Sequence, residues 1–356
     1  MNFLKRPVFY TGIAVLISLI ASAIWLKDSI ANYTGDEKDL LRKLDFNENE
    51  ITPDTEPSGA MKNDLTGIAY NGSNMYVAVD SAGKIFTSTD SIKWTDRQSG
   101  ANVRFRGIAW GGEQFVAVGD EGAILSSEDG ISWIRRDSGM NADFCDVIWD
   151  DRCFMALGNR TIMSSADGAV WTEGKTPDPA QGSDAEDKIP YYFSDILWDG
   201  KQYIASGGGN FILTSEDLYK WTVREPNSMG TGMFCDMAYS GKQYAAVGDH
   251  LAIMASSDGY DWTDKSQIIN QIDSVDDFYT LCLQSVEWGK DKFIAVGHRG
   301  LILASADGLE WSVAAPVTRQ ALNQVIWDGK QFIAVGNNGT IITSVDGLDW
   351  ECVSHV

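Results

Sequence analysis

From about residue 62 to the C-terminus, short apolar runs and polar turns recur with a period of about forty residues. The unit is clearest in LNQVIWDGKQFIAVGNNGTIITSVDGLDWECV, residues 322–353. It holds an apolar run (Gln324–Trp327), a turn (Asp328-Gly329-Lys330), a second run (Gln331–Val335) and a Gly336–Gly339 turn. A third run (Thr340–Thr343), an Asp-Gly hairpin and a fourth run from Trp350 complete it. Runs of four to six β-branched and aromatic residues bounded by Gly, Asn and Asp predict strands joined by hairpins. The second run returns as MYVAV (75–79), QFVAV (114–118), CFMAL (153–157), QYIAS (202–206), QYAAV (243–247), KFIAV (292–296) and QFIAV (331–335).

Seven four-stranded antiparallel units predict an all-β fold, a seven-bladed β-propeller, because radial repetition leaves only short edges. A linear stack needs distinct polar caps at its ends. Neither terminal repeat is atypical, so a closed ring is expected. The first repeat starts at Leu65–Tyr70 and the last ends at Trp350–Val353, each complete in itself. Closure is therefore expected by blade packing on blade, without a borrowed strand. The acidic stretch Glu50–Thr55 is a candidate additional outer strand.

Each unit closes on Ser-x-Asp, usually Gly, two residues and Trp: Ser88–Trp94, Ser127–Trp133, Ser165–Trp171, Ser215–Trp221, Ser256–Trp262, Ser305–Trp311 and Ser344–Trp350. Short Ser and Asp side chains bond turn backbone, Gly accepts positive φ, and Trp buries a ring while its N–H reaches a carbonyl. Asp90, Asp129, Asp167, Asp217, Asp258, Asp307 and Asp346 are accordingly read as structural. Ser91 and Leu218 replace the Gly in blades one and four, where strained or altered turns are expected.

The N-terminal pattern differs. Lys5 and Arg6 precede an uncharged stretch, Pro7 to Leu26, long enough to span a bilayer with its N-terminus in the cytoplasm. Ala21-Ser22-Ala23 also fits a cleavage site, although Ile24, Trp25 and Leu26 carry the apolar run past it. The expected organisation is residues 1–27 as signal-anchor or signal peptide, 28–61 as an acidic stalk and 62–356 as the propeller. The propeller would then lie outside the cytoplasm, anchored to the membrane, or secreted if the signal is cleaved.

With 50 acidic against 28 basic residues the net charge is −22. That disfavours nucleic acid, which needs a cationic footprint, and docking on an anionic membrane surface. The five cysteines, Cys145, Cys153, Cys235, Cys282 and Cys352, show no C-x-x-C spacing, so zinc is not suggested and no cofactor is expected. Cys235 with Cys282 is the disulfide worth testing, since both begin inner strands of adjacent repeats.

The S-x-D-G-x-x-W phrase resembles the Asp-box, or BNR, repeat of sialidase-like propellers. The IAW…FVAVG…GxIxxSxDGxxW unit is similar to propellers of photosystem II assembly factors of the Ycf48 type, over about residues 62–355. The resemblance implies a propeller whose box turns lie at the periphery, opposite the usual ligand face, and a protein-partner scaffold. A photosynthetic role does not carry over, because this chain is strongly acidic and offers no comparable basic patch.

A site is therefore sought where the repeat is broken. Long connections at Thr172–Tyr192 and Thr263–Cys282 fall on one face, as insertions at binding faces do. Inner strands of blades three, four and five begin Phe144-Cys145-Asp146, Phe193-Ser194-Asp195 and Phe234-Cys235-Asp236; blade two begins Arg104-Phe105-Arg106-Gly107. Arg104, Arg106, Asp146, Asp195, Asp236, His298 and Arg299 are the candidate partner-binding residues of a charge-segregated channel mouth. The competing reading has each Asp tie backbone within or between blades. His250 and His298 lack an evident third ligand and are read as surface turn residues. A sialidase-like enzyme needs an arginine cluster and a Tyr–Glu pair; the chain offers Lys188-Ile189-Pro190 and no third mouth arginine. No catalytic residue is assigned. The expectation is a non-catalytic binding scaffold for a protein partner in the cell envelope, with a sialidase-like carbohydrate-active enzyme or glycan-binding lectin as the alternative.

Overall fold

A computed structural model describes residues 63–158, 161–174, 193–208, 211–224, 233–266 and 281–355. The expected N-terminal membrane or signal segment, the stalk with Glu50–Thr55, Lys188-Ile189-Pro190 and most of the two long connections lie outside the described residues. Among the described residues no helix is long and apolar enough to cross a membrane.

Seven sheets of four consecutive antiparallel strands form the blades. The first strands pack against one another in succession, and that of blade seven, Leu322–Trp327, meets that of blade one, Leu65–Tyr70. The ring closes without strand exchange. Leu65, Ile68 and Phe86 interdigitate with Ile333, Val335 and Ile341 in one core. The Ile68 amide donates to Gln324 Oε1 at 2.6 Å, and the Asn323 side chain donates to the Leu65 carbonyl at 2.7 Å.

The core lies in the seams between blades. Second strands such as Gln114–Gly119 and Lys292–Gly297 are buried on both faces beyond their first residue, which explains their near-continuous apolar sequence. An aromatic residue near the start of each pairs across the sheet with the ring near the end of the first strand, as in Trp110–Phe115 (4.5 Å), Trp198–Tyr203 (4.3 Å) and Trp327–Phe332 (4.6 Å). Such pairs add packing beyond their buried area.

At the other end, every first strand carries a one-residue bulge, at Thr66, Arg106, Cys145, Ser194, Cys235, Gln284 and Asn323. The bulge re-aims the side chains that follow it. A glycine opposite makes room: a Cβ at Gly119, Gly248 or Gly297 would sit 2.1 Å from the carbonyl oxygen of Arg104, Met233 or Cys282. At those blades the terminal glycine leaves room for the bulged first strand, whereas blade one forms the same bulge opposite Asp80.

The Ser-x-Asp turns are stapled locally. Asp307 Oδ1 accepts the amides of Leu309 and Glu310 at 2.8 and 3.0 Å, while Trp311 Nε1 donates to the Gly308 carbonyl at 3.1 Å. The same bonds recur at Asp90, Asp129, Asp167, Asp217, Asp258 and Asp346. The residue after Asp is left-handed, with φ of 70° at Gly130 and 75° at Gly308. Ser91 (61°) and Leu218 (65°) hold that conformation despite a side chain and carry local strain. Adjacent blades are tied on this face. Gln202 donates to the Asp258 carbonyl at 3.0 Å, Tyr76 OH to Asp328 at 2.6 Å, and Tyr203 OH to Asp150.

Candidate functional site

On the face opposite these turns, the bulged ends of the first strands surround a polar cavity of about 750 Å³ at the channel mouth. Arg104, Arg106, Asp146, Asp195, Asp236 and His298 all contribute to its wall. Arg299 does not. It occupies the neighbouring turn at φ 58°, exposed and outside the lining. His298 lies 3.0 Å from the Gln284 side chain, and Arg106 is ion-paired with Asp120 from the blade-two turn. Arg104 is exposed at the rim. His250 follows Asp249 in the blade-five turn with φ 56° and is only partly exposed.

In blades four to seven the position after the bulge does two jobs. Asp236 Oδ2 accepts the amide of Val286 in blade six at 2.9 Å, and Ser285 Oγ accepts that of Val325 in blade seven at 3.2 Å. Asp195 likewise takes the amide of Met237 in blade five. These side chains hold the inner strands together and also line the cavity, so the structural and binding readings of the carboxylates are not exclusive. Gly107 is the blade-two equivalent, and a Cβ there would meet Asp146 Oδ1 at 2.9 Å. Its bareness lets blade two approach the first of the carboxylates.

Asp146, Asp195 and Asp236 stand on consecutive blades, and their charges are poorly compensated. Burial first, then the charge of Asp236, raises Asp146; burial and both neighbours raise Asp195 well above the carboxylate range; burial raises Asp236. With all three ionised, Oδ2 of Asp195 has no donor. A proton on Asp195 is donated to Asp146 or to Asp236 and favours the ionised form of whichever accepts it. The row therefore holds protons near neutral pH.

A fourth carboxylate escapes the reasoning based on strand starts. Glu287 sits deeper in the blade-six first strand, where burial and the Asp236 charge push it up to about 8. The equivalent residues are Ala69, Ala109, Ile148, Leu197, Ala238 and Ile326. A lone acid in an otherwise apolar column was a visible signal two residues further along the alignment.

Cys235 and Cys282 do meet, with sulfurs 3.4 Å apart, but both are thiols here and no disulfide joins them. Among the described residues, the arginines lining the cavity are Arg104 and Arg106.

No protein-family model and no curated protein matches this sequence. Solved structures do match in fold. One described as "YCF48 bound to D1 peptide" superposes with a TM-score of 0.63 at 15% identity, over 80% of this chain and 92% of that one. YCF48 from Cyanidioschyzon merolae gives 0.61 at 16%, over 79% and 95% of the two chains. The Cps50 (Swd1) β-propeller domain from Myceliophteria thermophila gives 0.61 at 11%, over 83% and 99%. The chain is a seven-bladed β-propeller, similar in fold to the solved Ycf48 structures.

Proposed function

We propose that this propeller is a non-catalytic scaffold that receives a segment of a protein partner at its channel mouth. The observation that carries the reading is the charge-segregated polar cavity, with Arg104 and Arg106 on blade two and Asp146, Asp195 and Asp236 on blades three to five. Such a wall selects an extended segment with basic side chains toward the acidic blades and a carboxylate toward the arginines. The Ycf48 structure described as bound to a D1 peptide supports peptide capture as something this architecture accommodates. The partner supplies cations where the channel lacks them, so its arrival favours release of the protons held by the carboxylates. Binding of a basic segment should accordingly strengthen as pH rises from about 6 to about 7.

In the same reading residues 1–27 tether the propeller to a membrane on its extracytoplasmic side, and protease accessibility in intact cells tests that placement. The binding site is tested by quantitative pull-down with the purified propeller and its variants, run beside a glycan array. An Asp146→Asn/Asp236→Asn double variant and Arg104→Glu should each reduce partner recovery at least about tenfold, the range of truncated interfacial charges. Unchanged recovery in both, or glycan turnover dependent on those carboxylates, would favour the carbohydrate reading instead.

A further inference from the structure

At the seam of blades five and six, three ligand-bearing side chains converge from distant parts of the chain. Cys235 is the bulge residue of the blade-five first strand, Asp249 follows its second strand, and Cys282 immediately precedes the first strand of blade six. The two sulfurs and a carboxylate oxygen of Asp249 all lie within 4.8 Å of one another. Main-chain bonds fix the segments that carry them. The Asp249 amide donates to the Met233 carbonyl at 3.0 Å, and the His298 amide to the Cys282 carbonyl at 3.0 Å. Asp249 and Cys282 also face each other in an antiparallel bridge. Cys282 is buried, whereas Cys235 reaches the wall of the mouth cavity.

We propose that Cys235, Cys282 and Asp249 bind a single Zn²⁺ ion, leaving a fourth coordination position for water or an incoming ligand. The site is independent of the partner-binding reading. A disulfide requires sulfurs about 2.05 Å apart, whereas tetrahedral zinc with Zn–S near 2.3 Å places them about 3.7 Å apart. The observed 3.4 Å is much nearer the second arrangement, and small side-chain rotations complete it. Two sulfurs with one carboxylate is a donor set suited to zinc; magnesium and calcium take oxygen ligands.

Binding is accompanied by proton release. Zinc binding releases both thiol protons to solvent, and the 2+ ion offsets most of the charge of two thiolates and a carboxylate. No electron is transferred.

The full chain, purified with reductant and freed of metal, is titrated with Zn²⁺ against a chromophoric chelator, and with Co²⁺ as a spectroscopic probe. The expected result is one ion per chain and thiolate-to-cobalt charge-transfer absorption. Cys282→Ser and Cys235→Ser should each weaken binding by more than about a hundredfold and Asp249→Asn by about tenfold or more, at or above the losses seen when supporting ligands are removed. Cys145→Ser, at another blade, should change nothing. Should Cys282→Ser fail to fold, Cys235→Ser at the partly exposed bulge and Asp249→Asn still decide the question. Absence of stoichiometric binding, a cobalt spectrum without thiolate bands, or unchanged affinity in Cys235→Ser and Asp249→Asn would overturn the proposal. So would an intact mass, taken without reductant, lacking two hydrogens that Cys235→Ser restores.

Discussion

The propeller carries two sets of carboxylates whose surroundings drive them apart. In the Ser-x-Asp turns, backbone amides hold Asp90, Asp167, Asp217, Asp258, Asp307 and Asp346 below their ordinary range. At Asp129 burial pushes upward, but bonds from the Ser132 and Ile131 amides and from Ser127 still bring it down. In the channel, burial dominates and like charges add to it, so Asp146, Asp195, Asp236 and Glu287 rise. The contrast teaches that a carboxylate in this fold is a fastener where amides converge on it. It is a proton store where neighbouring blades bring other carboxylates.

The two sets have opposite pH signatures. A depressed folded-state pKa gives stability that is present above the unfolded value near 4 and lost as pH falls through the folded one. A raised pKa gives stability that is full below the unfolded value and lost as pH rises through the folded one, here between about 6 and about 8.

The largest expected effect removes a turn's anchor without touching charge. Trp262 is only 2% exposed, and Trp262→Ala should cost about 3–5 kcal/mol in urea unfolding, equally at pH 5 and pH 9. A cost that depended on pH would mean the turns and the channel are not separable. Next comes Glu287→Gln, which removes the most isolated member of the store. It should leave stability nearly unchanged at pH 5 and raise it by about 1–3 kcal/mol at pH 9. Destabilisation at pH 9 would show that the ionised carboxylate is held by donors and that the channel resembles the turns. The smallest effect is Asp307→Ala, expected to cost about 1 kcal/mol at both pH 5 and pH 9 and to shrink as acid protonates the depressed carboxyl. A cost that does not shrink on acidification would assign it to shape and not to the ionised acceptor.

Most of the fold was legible because each blade repeats the same local chemistry: paired aromatic residues, buried second strands and a stapled turn. The mouth was legible only in outline. Asp146, Asp195 and Asp236 stand out at aligned strand starts, and the bulges that turn them inward sit beside Gly158, Gly207 and Gly248 on the paired strands. Arg299 stands in the three-residue turn beside His298, outside the cavity lining. Glu287 was visible as the lone acid in an apolar column, two residues beyond the aligned strand starts. Cys235, Asp249 and Cys282 have no motif spacing, since what joins them is the seam between blades.

The central claim is that the channel mouth, and not the face bearing the Ser-x-Asp turns, engages a protein. Its most direct test places a photocrosslinking amino acid at Asp143, on the cavity rim, or at Glu310, on an opposite-face turn, in the full-length chain in its own cells. The account predicts one protein adduct from position 143, diminished by Asp146→Asn/Asp236→Asn, and none from position 310. An adduct from 310 alone, or one from 143 indifferent to the carboxylates, would contradict it.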